Sequence, residues 1–131
     1  MAARDVQESP SPNSPSLLIV EDAPDLVSAL ESYFTHKRYQ VKAVNNGDEA
    51  LSALRATDPD ILLLDCRLPG KTGTEVLREA RGEGIDAPAI MVSVHPESEL
   101  KQKGDDPGAD AYLTKPFDLD TLGDRVDALL E

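Results

Sequence analysis

The segment Asp60-Ile61-Leu62-Leu63-Leu64-Asp65-Cys66-Arg67-Leu68-Pro69-Gly70-Lys71-Thr72-Gly73 decides the fold. Its aliphatic run is apolar throughout, as a strand is when helices cover both of its faces. An acid, Asp65, stands where the run ends. Pro69-Gly70 then turns the chain, and Val76, Leu77 and Ala80 mark a helix at the spacing of one apolar face.

The same texture repeats in both directions along the chain. Upstream, Leu17-Leu18-Ile19-Val20 is a second apolar run, ending in Glu21-Asp22, and Leu26, Leu30, Tyr33 and Phe34 share a helical face. Tyr39-Gln40-Val41-Lys42-Ala43-Val44 alternates as a strand until Asn46-Gly47 stops it; Ala50, Leu51 and Leu54 mark the next helix. Downstream, Ala89-Ile90-Met91-Val92-Ser93 and Ala111-Tyr112-Leu113-Thr114 read as strands. Leu119, Leu122, Val126, Leu129 and Leu130 close the chain as an amphipathic helix. Strand–helix alternation of this kind requires crossover connections, which should be right-handed, and hence a parallel sheet. The expectation is an α/β fold: one doubly wound, five-stranded parallel sheet in the order 2-1-3-4-5 with about five helices. Residues 1–16, with three prolines in the run 9–16 and nothing apolar there to bury, read as a disordered Ser/Pro-rich tail. Residues 17–131 read as one domain.

Composition narrows the function. The 131 residues carry 13 Lys+Arg against 25 Asp+Glu, a formal charge of −12. That argues against a nucleic-acid surface, which needs a basic face, and against docking on an anionic membrane. One cysteine excludes an internal disulfide framework and a multi-cysteine zinc site. No apolar run approaches a membrane span, and the N-terminus lacks a signal peptide's apolar core. A reducing, cytoplasmic setting is the expectation.

Open parallel sheets bind ligands beyond the carboxyl ends of their strands. Glu21 and Asp22, Asp65, Ser93 and Lys115 all fall at such ends. With the first and third strands adjacent, three carboxylates share one cleft and repel one another unless a cation is present. Oxygen-only donors suit a hard cation such as Mg²⁺. A hydroxyl and an ammonium supply a donor and a point charge for phosphate oxygens. The set describes phosphoryl transfer to an aspartate. Each residue alone has a plainer reading: Asp22 as a helix N-cap, Glu21 as a solvated acid, Asp65 as a turn residue, Ser93 as a cap, Lys115 as a surface lysine. Their joint placement is what favours a site.

These motifs resemble the receiver domain of bacterial two-component response regulators, with its flavodoxin-like fold, over roughly residues 16–131. The resemblance rests on Glu21-Asp22, on Asp65 to Gly73, on Ser93, and on Gly108-Ala109-Asp110-Ala111-Tyr112-Leu113-Thr114-Lys115-Pro116-Phe117. It rests also on spacing, Ser93 lying 28 residues after Asp65 and Lys115 another 22 on. It implies that Asp65 accepts a phosphoryl group from a histidine kinase, a phosphotransfer protein or a small acyl phosphate. It implies Glu21, Asp22, Asp65 and the Arg67 backbone carbonyl as Mg²⁺ ligands, Asp22 mattering more than Glu21. Lys115 is then the phosphate-contacting lysine, followed by a cis bond to Pro116, and Ser93 and Tyr112 are the switch pair. Such a domain is no enzyme beyond its own phosphorylation and dephosphorylation. Arg67 and His95, each two residues past a site residue, rim the pocket and set the lifetime of the phosphorylated state. Val94 stands where the family usually has Ala or Gly and narrows access.

Three other readings compete. One is a receiver excised from a longer regulator, the leading reading being a chain with no DNA-binding domain of its own. Another is a pseudo-receiver, a protein-binding module that is never phosphorylated. The last is a haloacid-dehalogenase-type phosphatase, which wants Asp-x-Asp, whereas Arg67 occupies the second position. Output is expected through a partner with a basic surface, because residues 96–131 hold ten acids and four bases. One helix is expected to be short, from near Pro96 to Lys103. Leu100 is its one large apolar residue, and Gly104 and Pro107 interrupt the face. That segment is expected to be mobile until phosphorylation or a partner orders it.

Overall fold

The computed structural model describes residues 14–94 and 108–130. Along the chain run β1 (Ser16–Val20), α1 (Pro24–His36), β2 (Gln40–Val44), α2 (Gly47–Thr57) and β3 (Ile61–Asp65). Then come α3 (Gly73–Gly82), β4 (Ala89–Ser93), β5 (Ala111–Thr114) and α4 (Leu119–Leu129). The strands form one sheet in the order β2-β1-β3-β4-β5, and every pairing is parallel.

The period of two along each strand divides the core in two. Leu18, Val20, Leu62, Leu64 and Met91 face Ala50, Leu51 and Leu54 of α2 and Val76, Leu77 and Ala80 of α3. Leu17, Ile19, Leu63, Ile90 and Val92 face Leu30 and Phe34 of α1 and Leu122 and Val126 of α4. Two helices therefore cover each face, which is why β1, β3 and β4 are apolar on both faces between their polar ends. Burial of each Val, Leu, Ile, Phe or Met among these residues is worth about 1.5–3 kcal/mol.

Two expectations change in detail. Ser16 belongs to β1 rather than to a tail, because its N–H and hydroxyl both reach the Asp60 carboxylate, at 2.8 and 3.3 Å. Four helices, rather than about five, stand among the described residues. The short helix expected from Pro96 to Lys103 lies outside them, as do His95, the expected mobility of that segment and the tail through residue 13.

The helix starts have separate causes. Pro24 occupies the first turn of α1, where its missing N–H costs nothing, and the cap position is Ala23; the N-cap reading of Asp22 therefore fails. Asn46 caps α2 by accepting from the Glu49 N–H at 2.8 Å. Thr72 and Glu75 form a reciprocal capping box on α3.

Candidate functional site

Backbone hydrogen bonds bring the strand ends level. The Cys66 N–H donates to the Val92 carbonyl at 2.9 Å, and the Lys115 N–H donates to the Ser93 carbonyl at 2.7 Å. The chain therefore presents Glu21, Asp65, Ser93 and Lys115 at one edge of the sheet. Glu21, Asp65 and Ser93 are buried, an unusual set of polar side chains to remove from water; Asp22 is exposed.

Lys115 holds the pocket together. Its Nζ donates to Asp65 Oδ2 at 2.9 Å and to Glu21 Oε1 at 3.1 Å. The second oxygen of each acid has a backbone partner. Asp65 Oδ1 accepts from the Arg67 N–H at 3.1 Å, and Glu21 Oε2 accepts from the Ala23 N–H at 3.0 Å. Burial raises the Glu21 carboxyl, and the neighbouring Asp65 raises it further, against the lowering pull of Ala23 and Lys115. Burial alone would lower Lys115, but its bonds to Asp65 and Glu21 outweigh that and leave it raised. The lysine is thus a fixed positive charge at neutral pH.

Glu21, Asp22 and Asp65 each bring one oxygen to within 4.8 Å of the others. A single ammonium faces them among the described residues that bond to this cluster. Three oxygen donors converging around a negative excess fit a hard divalent cation, and nothing in the set suits a soft metal.

Ser93 ends β4 opposite Thr114 of β5, and its hydroxyl bonds to the Cys66 thiol. Burial pushes that thiol up, so Cys66 is a packed, protonated neighbour of the site rather than a reactive thiolate. Tyr112 lies opposite Met91, on the sheet face that Ser93 shares, and packs against the α2–α3 core. The Lys115–Pro116 peptide bond is cis. The Arg67 side chain is exposed. Val94 is 57% exposed and borders, with Lys115 and Phe117, an apolar groove beside the pocket.

Two features carry no signal in the sequence reading. One is the bond between the Ser93 hydroxyl and Cys66. The other is the contact of the Pro69–Lys71 turn with the start of α2, where the Gly47 N–H donates to the Pro69 carbonyl at 3.0 Å. Both turns are visible in sequence as Asn46-Gly47 and Pro69-Gly70; their meeting is not.

Residues 17–127 match the family described as the response regulator receiver domain. The transcriptional regulatory protein DltR of Streptococcus agalactiae serotype III (strain NEM316) is 36% identical over 110 residues, 84% of this chain and 49% of that protein. The Francisella response regulator 1452 receiver domain superposes with a TM-score of 0.84 at 29% identity, covering 89% of this chain and 97% of that one. Response regulator protein TrrA of Thermotoga maritima, solved in complex with Mg(2+)-BeF, gives 0.79 at 30% identity, over 88% and 99% of the two chains. This chain spans about half the length of the curated relatives it matches. Among the described residues no helix is long and apolar enough to cross a membrane. With its parallel sheet and its acidic pocket at the strand ends, the chain belongs to the response regulator receiver family of two-component signalling and is a phosphorylation-dependent switch.

Proposed function

We propose that Asp65 is the phosphoryl acceptor, that Glu21, Asp22, Asp65 and the Arg67 carbonyl hold Mg²⁺, and that a histidine kinase or phosphotransfer protein is the donor. The observation that carries this reading is the convergence of a buried Asp65 with two further carboxylates and one lysine at the carboxyl ends of the strands. An Asp65 carboxylate oxygen attacks phosphorus; an O–P bond forms as the bond from phosphorus to the donor's nitrogen or acyl oxygen breaks. Lys115 already touches the attacking carboxylate, so it can pass to a phosphoryl oxygen without leaving the pocket. Mg²⁺ supplies charge neutralisation of the phosphoryl oxygens when bound. Ser93 offers the hydroxyl that a phosphoryl oxygen would attract from its present bond to Cys66, and Tyr112, on the same face, follows it. The domain catalyses nothing beyond gaining and losing this group.

A single thiol and a histidine-kinase donor fit the cytoplasm. The acidic C-terminal stretch fits an output partner with a basic surface. Several longer relatives are named transcriptional regulatory proteins; a domain this acidic does not suit a DNA surface.

Incubation with acetyl phosphate and Mg²⁺ tests the reading by intact mass. One added phosphate on the wild-type protein and none on Asp65→Asn is expected. An unmodified wild type would support the pseudo-receiver instead, and a modified Asp65→Asn would place the acceptor elsewhere. Arg67→Ala should then change the decay of the phosphorylated form several-fold, about 1 kcal/mol in barrier. Decay at the wild-type rate would remove Arg67 from that role.

A further inference from the structure

The loop that carries Arg67 is closed at its base and pinned at its apex. At the base the Gly73 N–H donates to the Cys66 carbonyl at 3.0 Å. A Cβ on Gly73 would lie 2.9 Å from the Asp65 carbonyl carbon, and closer still to its oxygen. At the apex two glycines interlock across different elements. A Cβ on Gly47, the first residue of α2, would lie 2.6 Å from the Lys71 carbonyl carbon, nearer still to its oxygen, and 2.9 Å from the Lys71 Cβ. A Cβ on Gly70 would in turn run into the Asp48 carboxylate, and Gly70 has φ +75°, which L residues rarely adopt. The Gly47 N–H also holds the Pro69 carbonyl at 3.0 Å. Gly47 is therefore bare because a backbone carbonyl, not a yielding side chain, occupies the space a side chain would fill. Lys71 adds a tie of its own, donating to Glu79 of α3 at 2.6 Å.

We infer that Gly47, remote from the pocket in sequence, is a positioning residue for the metal site: the first turn of α2 seats the 66–73 loop and so sets where the Arg67 carbonyl stands. The inference rests on the assignment of Mg²⁺ to this pocket. Arg67 lies between the two anchors, and its N–H already touches Asp65 Oδ1. Any residue larger than glycine at position 47 forces the apex away, and the displacement runs back along the few residues to Arg67. Glu21 and Asp22 directly follow β1 and Asp65 ends β3, so the three carboxylates stay in place. The effect falls on a ligand's position and not on its chemistry.

The test compares four proteins by calorimetric Mg²⁺ titration and thermal melting: wild type, Gly47→Ala, Gly123→Ala and Gly82→Ala. Gly123→Ala overpacks α4 against the Tyr33 hydroxyl, 2.5 Å from the new Cβ, on the opposite side of the sheet. Gly82→Ala meets nothing within 4 Å. Gly47→Ala should bind Mg²⁺ about tenfold more weakly, as supporting partners of a metal site do when altered. Gly123→Ala should melt earlier yet keep wild-type affinity, which separates positioning from general loss of stability, and Gly82→Ala should keep the affinity and melt no earlier than wild type. Wild-type affinity in a folded Gly47→Ala overturns the inference, as does an equal loss in Gly123→Ala. If Gly47→Ala does not fold, Gly70→Ala decides in its place, since its Cβ presses the same apex away from the first turn of α2 against the Asp48 side chain, which can yield. Several-fold weaker binding there supports the inference, and unchanged binding overturns it. A wild-type protein that binds no Mg²⁺ overturns the metal assignment itself, a result distinct from binding that Gly47→Ala leaves intact.

Discussion

Glu21 and Asp22 are adjacent acids with different freedom. Both Glu21 oxygens are engaged, one by Lys115 and one by the Ala23 N–H, and the side chain is buried. Asp22 is exposed and can turn toward a cation without first breaking those bonds. Asp22→Ala should therefore weaken Mg²⁺ binding more than Glu21→Ala in calorimetric titration. Equal loss of Mg²⁺ affinity in the two variants would contradict this ranking. At this scale the sequence placed Glu21, Asp22, Asp65, Ser93 and Lys115 at strand ends, and the structure brings all five to one edge. It did not reveal that Lys115 bridges Asp65 and Glu21, nor that Ser93 rests on Cys66. Those contacts depend on side-chain reach across neighbouring strands, which strand-end position alone does not fix.

α3 begins with a signal that sequence reading could have used. Thr72-Gly73-Thr74-Glu75 is the pattern of a capping box, and the structure shows both of its bonds: Glu75 N–H to Thr72 Oγ1 at 3.2 Å and Thr72 N–H to Glu75 Oε1 at 2.9 Å. The Glu75 carboxyl is held below its usual range by those bonds to Thr72. Thr72→Ala should cost about 1 kcal/mol, read as a lower urea midpoint at unchanged slope. An unchanged midpoint would show that the tertiary seat of the loop, not the cap, starts the helix. The β2 boundary moved by one residue because Tyr39 is spent on packing. Its ring meets Phe34 edge-on at 5.5 Å and its hydroxyl reaches Asp127 Oδ1 at 2.5 Å, so it serves the α1–α4 face rather than the ladder.

At the scale of the whole molecule, the two ends of the described fold are tied on one face of the sheet. Asp127 of α4 accepts from Lys37 at 2.8 Å and from the Tyr39 hydroxyl, and Tyr33 reaches Asp120 at 3.0 Å. Burial would raise the Asp127 carboxyl, but Lys37 and Tyr39 outweigh it and hold it low. A carboxyl depressed in the folded state stabilises above its unfolded pKa, near about 4, and loses that contribution as pH falls through the folded value. Asp127→Asn should thus lower stability at pH 7, by under about 1 kcal/mol for a pair this exposed, and the deficit should shrink as pH falls into the acid range. A deficit independent of pH would mean that packing, not charge, is lost. The order of the sheet and the covering of both its faces were legible because period-two patterns and parallel crossovers leave few alternatives. The meeting of two glycine turns was not, since each turn is locally self-sufficient.

We propose that this switch is thrown by an acyl phosphate on Asp65. Borohydride reduction of the protein after treatment with acetyl phosphate and Mg²⁺, followed by peptide mapping, reads it directly, because reduction converts a phosphorylated aspartate to homoserine. The account predicts homoserine at position 65 alone, dependent on Mg²⁺ and absent when acetyl phosphate is withheld. Homoserine at another acid, or unaltered aspartate at 65 in a protein that has gained phosphate by mass, would contradict it.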